Sequence, residues 1–339
     1  MKSIKFLLIG LLAISFAMVL PISADAKNRD VVFCFAWVAY GKHVGFYAAQ
    51  GKGFYKKEGL NVKMIRGVSG MDNAKRTSTG TCTVASGGVD TLVIARSEGF
   101  KVRAIGVWHT KSMHVIFARK DRGINSVKDL EGKSIATVAK EDGQVLFPPF
   151  AKAAGIDASK VKFVEMSWAS KIPSVMSGTV DALLTFVTVR PNVLKVAKKN
   201  NVAVSEFIYA DHGLDMYSNG FLATEKMIKT DQSFLRRFMR ASLKGLAYGV
   251  EHPKESAAIF SKHKPEIDPA LAKEHWRIAV NHLITPDTEM NGLGHIGYAK
   301  MKFTRDVVAE ARNIKNPEPV RNYYTNEFLT PIFPKRPGM

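Results

Sequence analysis

Residues 35–62 read FAWVAYGKHVGFYAAQGKGFYKKEGLNV, Phe35 to Val62. An apolar run, Val31–Trp37, enters this stretch as a strand. It breaks at the polar turn Tyr40-Gly41-Lys42-His43, passes through a short helix, and reaches Gly59-Leu60-Asn61-Val62, where a second strand, Leu60–Ile65, begins. A strand, a helix and a strand in so short a span make a unit of a parallel sheet. The same alternation runs outward along the chain. A helix is expected over Gly70–Thr79 and a strand over Thr81–Ser86, then a turn at Gly87-Gly88 and a helix over Asp90–Glu98. Val102–Trp108 reads as a strand and Met113–Arg119 as extended. Ser126 and Asp129 have capping-box spacing. Strands Ser134–Val138, Val161–Met166 and Ala182–Phe186 follow, with helices near 144–154 and at Ile172–Ser177. Asp231–Val250 places Phe234, Leu235, Phe238, Leu246 and Val250 near helical spacing, so one face should be buried. His252-Pro253 should break that helix. The pattern as a whole is α/β with mostly parallel sheets.

Several phrases carry a resemblance. GKGFYKKEGLNV, SVKDLEGK, SGTVDALLTF and FLRRFMRASLKGLAYGVEHPKESAAIF resemble segments of the periplasmic substrate-binding proteins of ABC importers. The branch is the one that takes up sulfonates, taurine, nitrate and the thiamine pyrimidine. The resemblance implies a two-lobe binding-protein fold (type II-like), parallel sheets flanked by helices, and two hinge crossings near 118–120 and 216–219. Lobe one would comprise 27–118 and 218–339, and lobe two 119–217. It also implies capture of a small solute between the lobes and delivery to a membrane permease, without turnover.

The first residues fit an exported protein. Lys2 and Lys5 precede the apolar run Phe6 to Leu20, and Ser23-Ala24-Asp25-Ala26 offers small residues for cleavage after Ala26. Residues 1–26 are therefore read as a secretory signal and the mature chain as periplasmic. No cysteine follows the cleavage point, so a lipoprotein is not expected. The apolar fraction of 46% argues for packed cores rather than disorder. The net charge of +19 is spread over pairs such as Lys56-Lys57, Lys198-Lys199 and Arg236-Arg237 rather than gathered in one stripe. No nucleic-acid partner is expected on that pattern, and the surface is read as one that steers anions. The chain is expected to act as a monomer. Cys34 and Cys82 both fall in expected strands; they are read as small buried hydrophobes, with pairing in an oxidising compartment left open. No metal or cofactor site is expected, since His275 and His282 are too widely spaced for a helical metal pair. Pro331, Pro334 and Pro337 predict an extended, poorly ordered tail.

In α/β sheets a ligand sits beyond the carboxyl ends of the strands. Trp37, Trp108, Trp168 and Phe186 all fall at or just past such ends, and four aromatics there would hold a flat heterocyclic or aromatic solute. His43, in what the resemblance marks as the first contact loop, is a candidate hydrogen-bonding partner. Ser86 and Gly87 should offer free backbone N–H groups to an anion. Glu141 and Asp142, at the second contact loop, would accept from an exocyclic amine and repel a sulfonate or nitrate. The membrane partner, a permease or a sensor kinase on which a ligand module docks, stays open, and two alternatives in function stand beside this reading. One is a sulfonate, taurine or nitrate receptor. The other is an enzyme like the fungal proteins that make the thiamine pyrimidine, but those carry clustered cysteines for iron, and here Cys34 and Cys82 stand alone. No catalytic residue is assigned.

Overall fold

The structure, a computed structural model, describes residues 28–139 and 141–336. The expected signal segment and Pro337 lie outside the described residues. Two five-stranded sheets organise the chain. The strands are β1 (Arg29–Phe35), β2 (Leu60–Arg66), β3 (Val84–Gly88), β4 (Val102–Val107), β5 (His114–Arg119), β6 (Ser134–Thr137), β7 (Lys162–Glu165), β8 (Ala182–Phe186), β9 (Val204–Ile208) and β10 (Asn219–Thr224). The first sheet has the order β2-β1-β3-β10-β4 and the second β7-β6-β8-β5-β9. Helices flank both, giving the two-lobe binding-protein architecture.

The sheets are mixed rather than parallel throughout. β1 pairs in parallel with β2 over its full length, Arg29 opposite Leu60 through Phe35 opposite Arg66. β10 runs antiparallel to β3 and β4, and β5 runs antiparallel to β8 and β9. The physical reason is the path of the chain. A strand that crosses directly from one lobe into the other has no helix to carry it back to the starting edge, so it enters its new sheet reversed. β5 lies in the second sheet, so the chain leaves the first sheet through 108–113, earlier than the crossing expected near 118–120. The return runs through 209–218, between β9 and β10.

The core of the first lobe is aromatic. Phe33 of β1 meets Phe46 at 5.2 Å and Phe238 at 5.3 Å between ring centroids, and Phe46 meets Trp108 edge-on at 4.9 Å. The helix Val44–Gly51 lies close against the long helix Gln232–Glu251 because glycine stands at the contact. A Cβ on Gly245 would come within 2.4 Å of the Ala49 Cβ. The break at His252-Pro253 is present, with a new helix over Pro253–His263.

One feature settles a point that the sequence leaves open, and another departs from expectation. Cys34 and Cys82 form a disulfide, with Cα atoms 5.9 Å apart, tying β1 to the segment that leads into β3. Both residues are buried, so burial and pairing coexist. The tail is not loose over 331–336: Leu293 N–H donates to the Ile332 carbonyl, Lys335 N–H to the Glu251 carboxylate, and Arg336 to the Ile284 carbonyl.

Candidate functional site

The two crossings bring several strand and helix ends to one seam between the lobes. From the first lobe come the short turn Gly41–His43 after β1, Asp90 and Thr91 at the start of the helix Val89–Ser97, and Trp108 and His109 just past β4. From the second come His114 at the head of β5, Asp142 at a helix start, Phe186 at the end of β8, and Thr188 beyond it. The Tyr40 hydroxyl lies 3.1 Å from the Thr188 hydroxyl. His114 Nε2 is 3.8 Å from an Asp90 carboxylate oxygen. Lys42 Nζ sits 4.6 Å from the centre of the Phe186 ring. His275 Nε2 stands 2.7 Å from Asn192 Oδ1, a further tie between the lobes.

Lys42 is the centre of this seam. Its residue is 3% exposed, and its ammonium faces three rings, Tyr40, Trp108 and Phe186. Burial pulls its pKa down to about 7, opposed in part by the Asp142 charge. His43 and His109 are both held well below the usual imidazole range, first by burial and then by the nearby Lys42 charge. Asp142 is pushed the other way, up to about 7, by burial and by Asp90, with His114 opposing. Burial likewise raises the Tyr40 phenol. Each shift has the same origin: a charge taken out of water is disfavoured unless a partner stands against it.

Some buried donors here lack a partner among the described residues. Trp108 Nε1 and His109 Nε2 are two of them. His109 Nδ1 faces the Asn219 amide nitrogen at 3.1 Å and must accept from it, which leaves the ring proton on Nε2. The seam therefore carries two unmatched N–H donors beside a lysine.

The residues picked from sequence divide accordingly. His43, Trp108, Asp142 and Phe186 meet at the seam. His43 is held by its own turn, with Nδ1 within 3.2 Å of Tyr40 backbone atoms, and its ring lies 4.3 Å from Phe35. Ser86 and Gly87 do not form an open turn. They lie within β3 and pair with Phe221 and Gly220 of β10. The helix that follows starts at Val89, its first turn already holds Asp90, and Asp90 accepts from Thr91 N–H at 2.8 Å. Gly88 is required there, since a Cβ would fall 2.0 Å from Asp90 Oδ1.

Glu141 is engaged within its own lobe. Its carboxylate accepts from Lys171 Nζ at 2.8 and 2.9 Å and from Thr137 and the Val138 N–H. Trp168 begins the helix Trp168–Ser177 and is 41% exposed, with Lys171 Nζ 5.1 Å from a ring centre. Trp37 lies two residues beyond β1 and is half-buried. Thr188, with Thr185 a weaker candidate beside Phe186 in the sequence, reaches the seam, whereas Tyr40, Lys42, Asp90, His109 and His114 lie beyond the residues that the sequence singles out. The signal for Lys42 was available, because a lysine between glycine and histidine in a contact loop is placed for more than solvation. His114 was hidden, since β5 had been read as part of the first lobe.

A family model described as "NMT1/THI5 like" matches residues 41–256. A riboflavin-binding protein, RibY, from Chloroflexus aurantiacus is 23% identical over 91% of this chain and 90% of its own. A formylaminopyrimidine-binding protein from Halalkalibacterium halodurans is 25% identical over 86% and 88%. A protein from Legionella pneumophila named 4-amino-5-hydroxymethyl-2-methylpyrimidine phosphate synthase is 24% identical over 72% and 76%. Among solved structures, the periplasmic aliphatic sulphonate binding protein SsuA from Escherichia coli superposes with a TM-score of 0.66 at 14% identity, covering 87% of this chain and 97% of that one.

Proposed function

The chain belongs to the NMT1/THI5-like family, and on that premise we propose that it is an exported solute receptor that works with an ABC permease. The solute is a small flat heterocycle or aromatic compound held at the seam between the lobes. The observation that carries this reading is the convergence of Tyr40, Lys42, Trp108 and Phe186, contributed by both lobes, with unmatched donors beside them. A ligand that satisfies groups from both lobes binds the closed form better than the open one, and only that difference drives closure. The closed form is then the one the permease engages. Two relatives named for binding riboflavin and a formylaminopyrimidine support a ring-shaped ligand.

The mature protein begins after Ala26, is periplasmic and acts as a monomer. Among the described residues no helix is long and apolar enough to cross a membrane. The residues we assign to the ligand are Trp108, Asp142 and Phe186, with His43 behind them and Trp37 and Trp168 at the rim. Ser86, Gly87 and Glu141 support these from within their own lobes.

A second reading, synthesis of a pyrimidine, is raised by the relatives named as synthases. Against it, the chain has two cysteines and both are joined in the Cys34–Cys82 disulfide, leaving no thiolate for a clustered-cysteine metal site. Native mass spectrometry of the mature protein, exported by its own signal and purified gently, separates the readings. A bound mass released intact as a ring compound is the expected result. Release of a chemically altered product after incubation with that compound would favour an enzyme, and an acyclic sulfonate in the bound mass would replace the ring by the sulfonate alternative.

A further inference from the structure

The Lys42 side chain is difficult to explain as a structural element. A lysine this deeply buried ordinarily has a carboxylate against its ammonium, because leaving the charge bare in a low-dielectric site is strongly unfavourable. Among the described residues the contacts of the Lys42 ammonium are with rings, and no hydrogen bond or ion pair reaches it. The acids nearby are otherwise arranged. Glu141 is neutralised by Lys171, and Asp90 and Asp142 are grouped around His114 and Thr91. The Asp142 charge acts on Lys42 without a hydrogen bond or ion pair between them, and the remaining groups facing Lys42 are His43, His109 and the three rings, none of which carries negative charge at neutral pH. Rings turned toward the ammonium offset only part of its desolvation.

The neighbouring polar groups point the same way. Trp108 Nε1 and His109 Nε2 are buried donors without acceptors, and their rings lie 4.0 Å apart between centroids. Three sets of donors, one of them charged, thus stand together with no acceptor from the chain. Resting on the receptor reading above, we infer that Lys42 reads a negative charge on the solute, which is a flat aromatic or heteroaromatic acid whose anionic group meets Lys42 while its acceptors take the Trp108 and His109 N–H groups. The ring of such an acid has Tyr40 and Phe186 to pack against, one from each lobe. Closure on it supplies the missing acceptors and returns Lys42 to its charged state.

Matched pairs of probes test this: benzoate against benzamide, nicotinate against nicotinamide, and indole-3-carboxylate against its amide. Binding is measured by calorimetry and thermal shift at pH 6, with the wild-type protein, Lys42→Met and Lys42→Arg. At least one acid should bind the wild type tenfold or more tightly than its amide. Lys42→Met should abolish that preference and Lys42→Arg should keep part of it. At any one pH between 6 and 9 the acid should bind better than its amide, a ratio in which the pH dependence of closure itself cancels and which a merely structural lysine would not produce. Should Lys42→Met fail to fold, Lys42→Arg and the wild-type ratio of acid to amide affinity carry the test. Amides binding as well as acids, a preference that survives Lys42→Met, or no binding by any of the acids would each overturn the assignment. The receptor reading is judged separately, since a neutral ring compound found by native mass spectrometry would sink the role of Lys42 and leave that reading standing.

Discussion

Trp108 illustrates how one side chain serves both packing and recognition. Its body is fully buried and packs edge-on against Phe46, yet its indole N–H has no partner. A tryptophan at a strand end reads equally well as core or as cleft lining, and here the two halves of the side chain divide those roles. Trp108→Phe separates them. It keeps an aromatic body while removing the N–H, so the melting temperature should change by only a few degrees while solute affinity falls by about 1 kcal/mol, the usual size of one hydrogen bond. Calorimetry with the copurified solute checks it. An unchanged affinity would make Trp108 a core residue alone. Glu141 and Asp142 teach a related lesson. They are adjacent in sequence, but one is paired with Lys171 and the other is left among Asp90, His114 and Thr91 at the seam. Their difference arises from partners 28 or more residues away, which no local reading reveals.

At the scale of elements, period and turn chemistry were largely sufficient. The expected strands at Leu60–Ile65, Val102–Trp108, Ser134–Val138 and Ala182–Phe186 appear within two residues of their stated ends, because alternation, glycine turns and capping are local signals. The strand Val204–Ile208 and the helix Arg190–Lys199 were missed. The strand is short, lies at the edge of its sheet and carries Ser205 and Glu206, so its apolar pattern is thin. The disulfide is also an element-scale feature, since it fixes β1 against the approach to β3. Its two ends are separated by 48 residues, and closing a loop of that length in the unfolded chain corresponds to about 4 kcal/mol on the chain-entropy account. Reduction with a strong reductant, or Cys34→Ala with Cys82→Ala, should lower the melting temperature clearly without abolishing solute binding. Equal melting curves with and without reductant would contradict that.

For the whole molecule, the seam groups couple closure to pH. With the lobes in contact, as at the Tyr40–Thr188 hydroxyl pair, which we take as the closed form, Asp142 has its pKa raised, so its contribution is fully present in acid and is lost as pH rises toward about 7. Lys42 has its pKa lowered, so the closed form gains as pH rises from about 7 toward the ordinary lysine value, where the open form gives up the same proton. Between these limits both groups resist burial, and closure without ligand should be least favourable near neutral pH. Small-angle scattering of the ligand-free protein from pH 5 to 9 should find the largest radius of gyration near pH 7. A flat profile would mean that Asp142 and Lys42 stabilise each other as a charged pair instead. Bound solute should remove most of the dependence, because an anion set against Lys42 would hold its charge across that range.

Membership of a two-lobe binding-protein family was legible in the order of residues, as were most strand and helix positions and the gathering of aromatics at strand ends. These properties follow from patterns whose information lies within a few residues: alternation for strands, a 3.6-residue stripe for helices, glycine and proline at the breaks. The closing of Cys34 on Cys82, the reversed strands that make both sheets mixed, and the early crossing at 108–113 emerged only when the chain was folded. So did the isolation of Lys42 and the opposite fates of Glu141 and Asp142. Each depends on which distant groups share a low-dielectric space, and the charge state of a buried side chain is set by those neighbours rather than by its place along the chain.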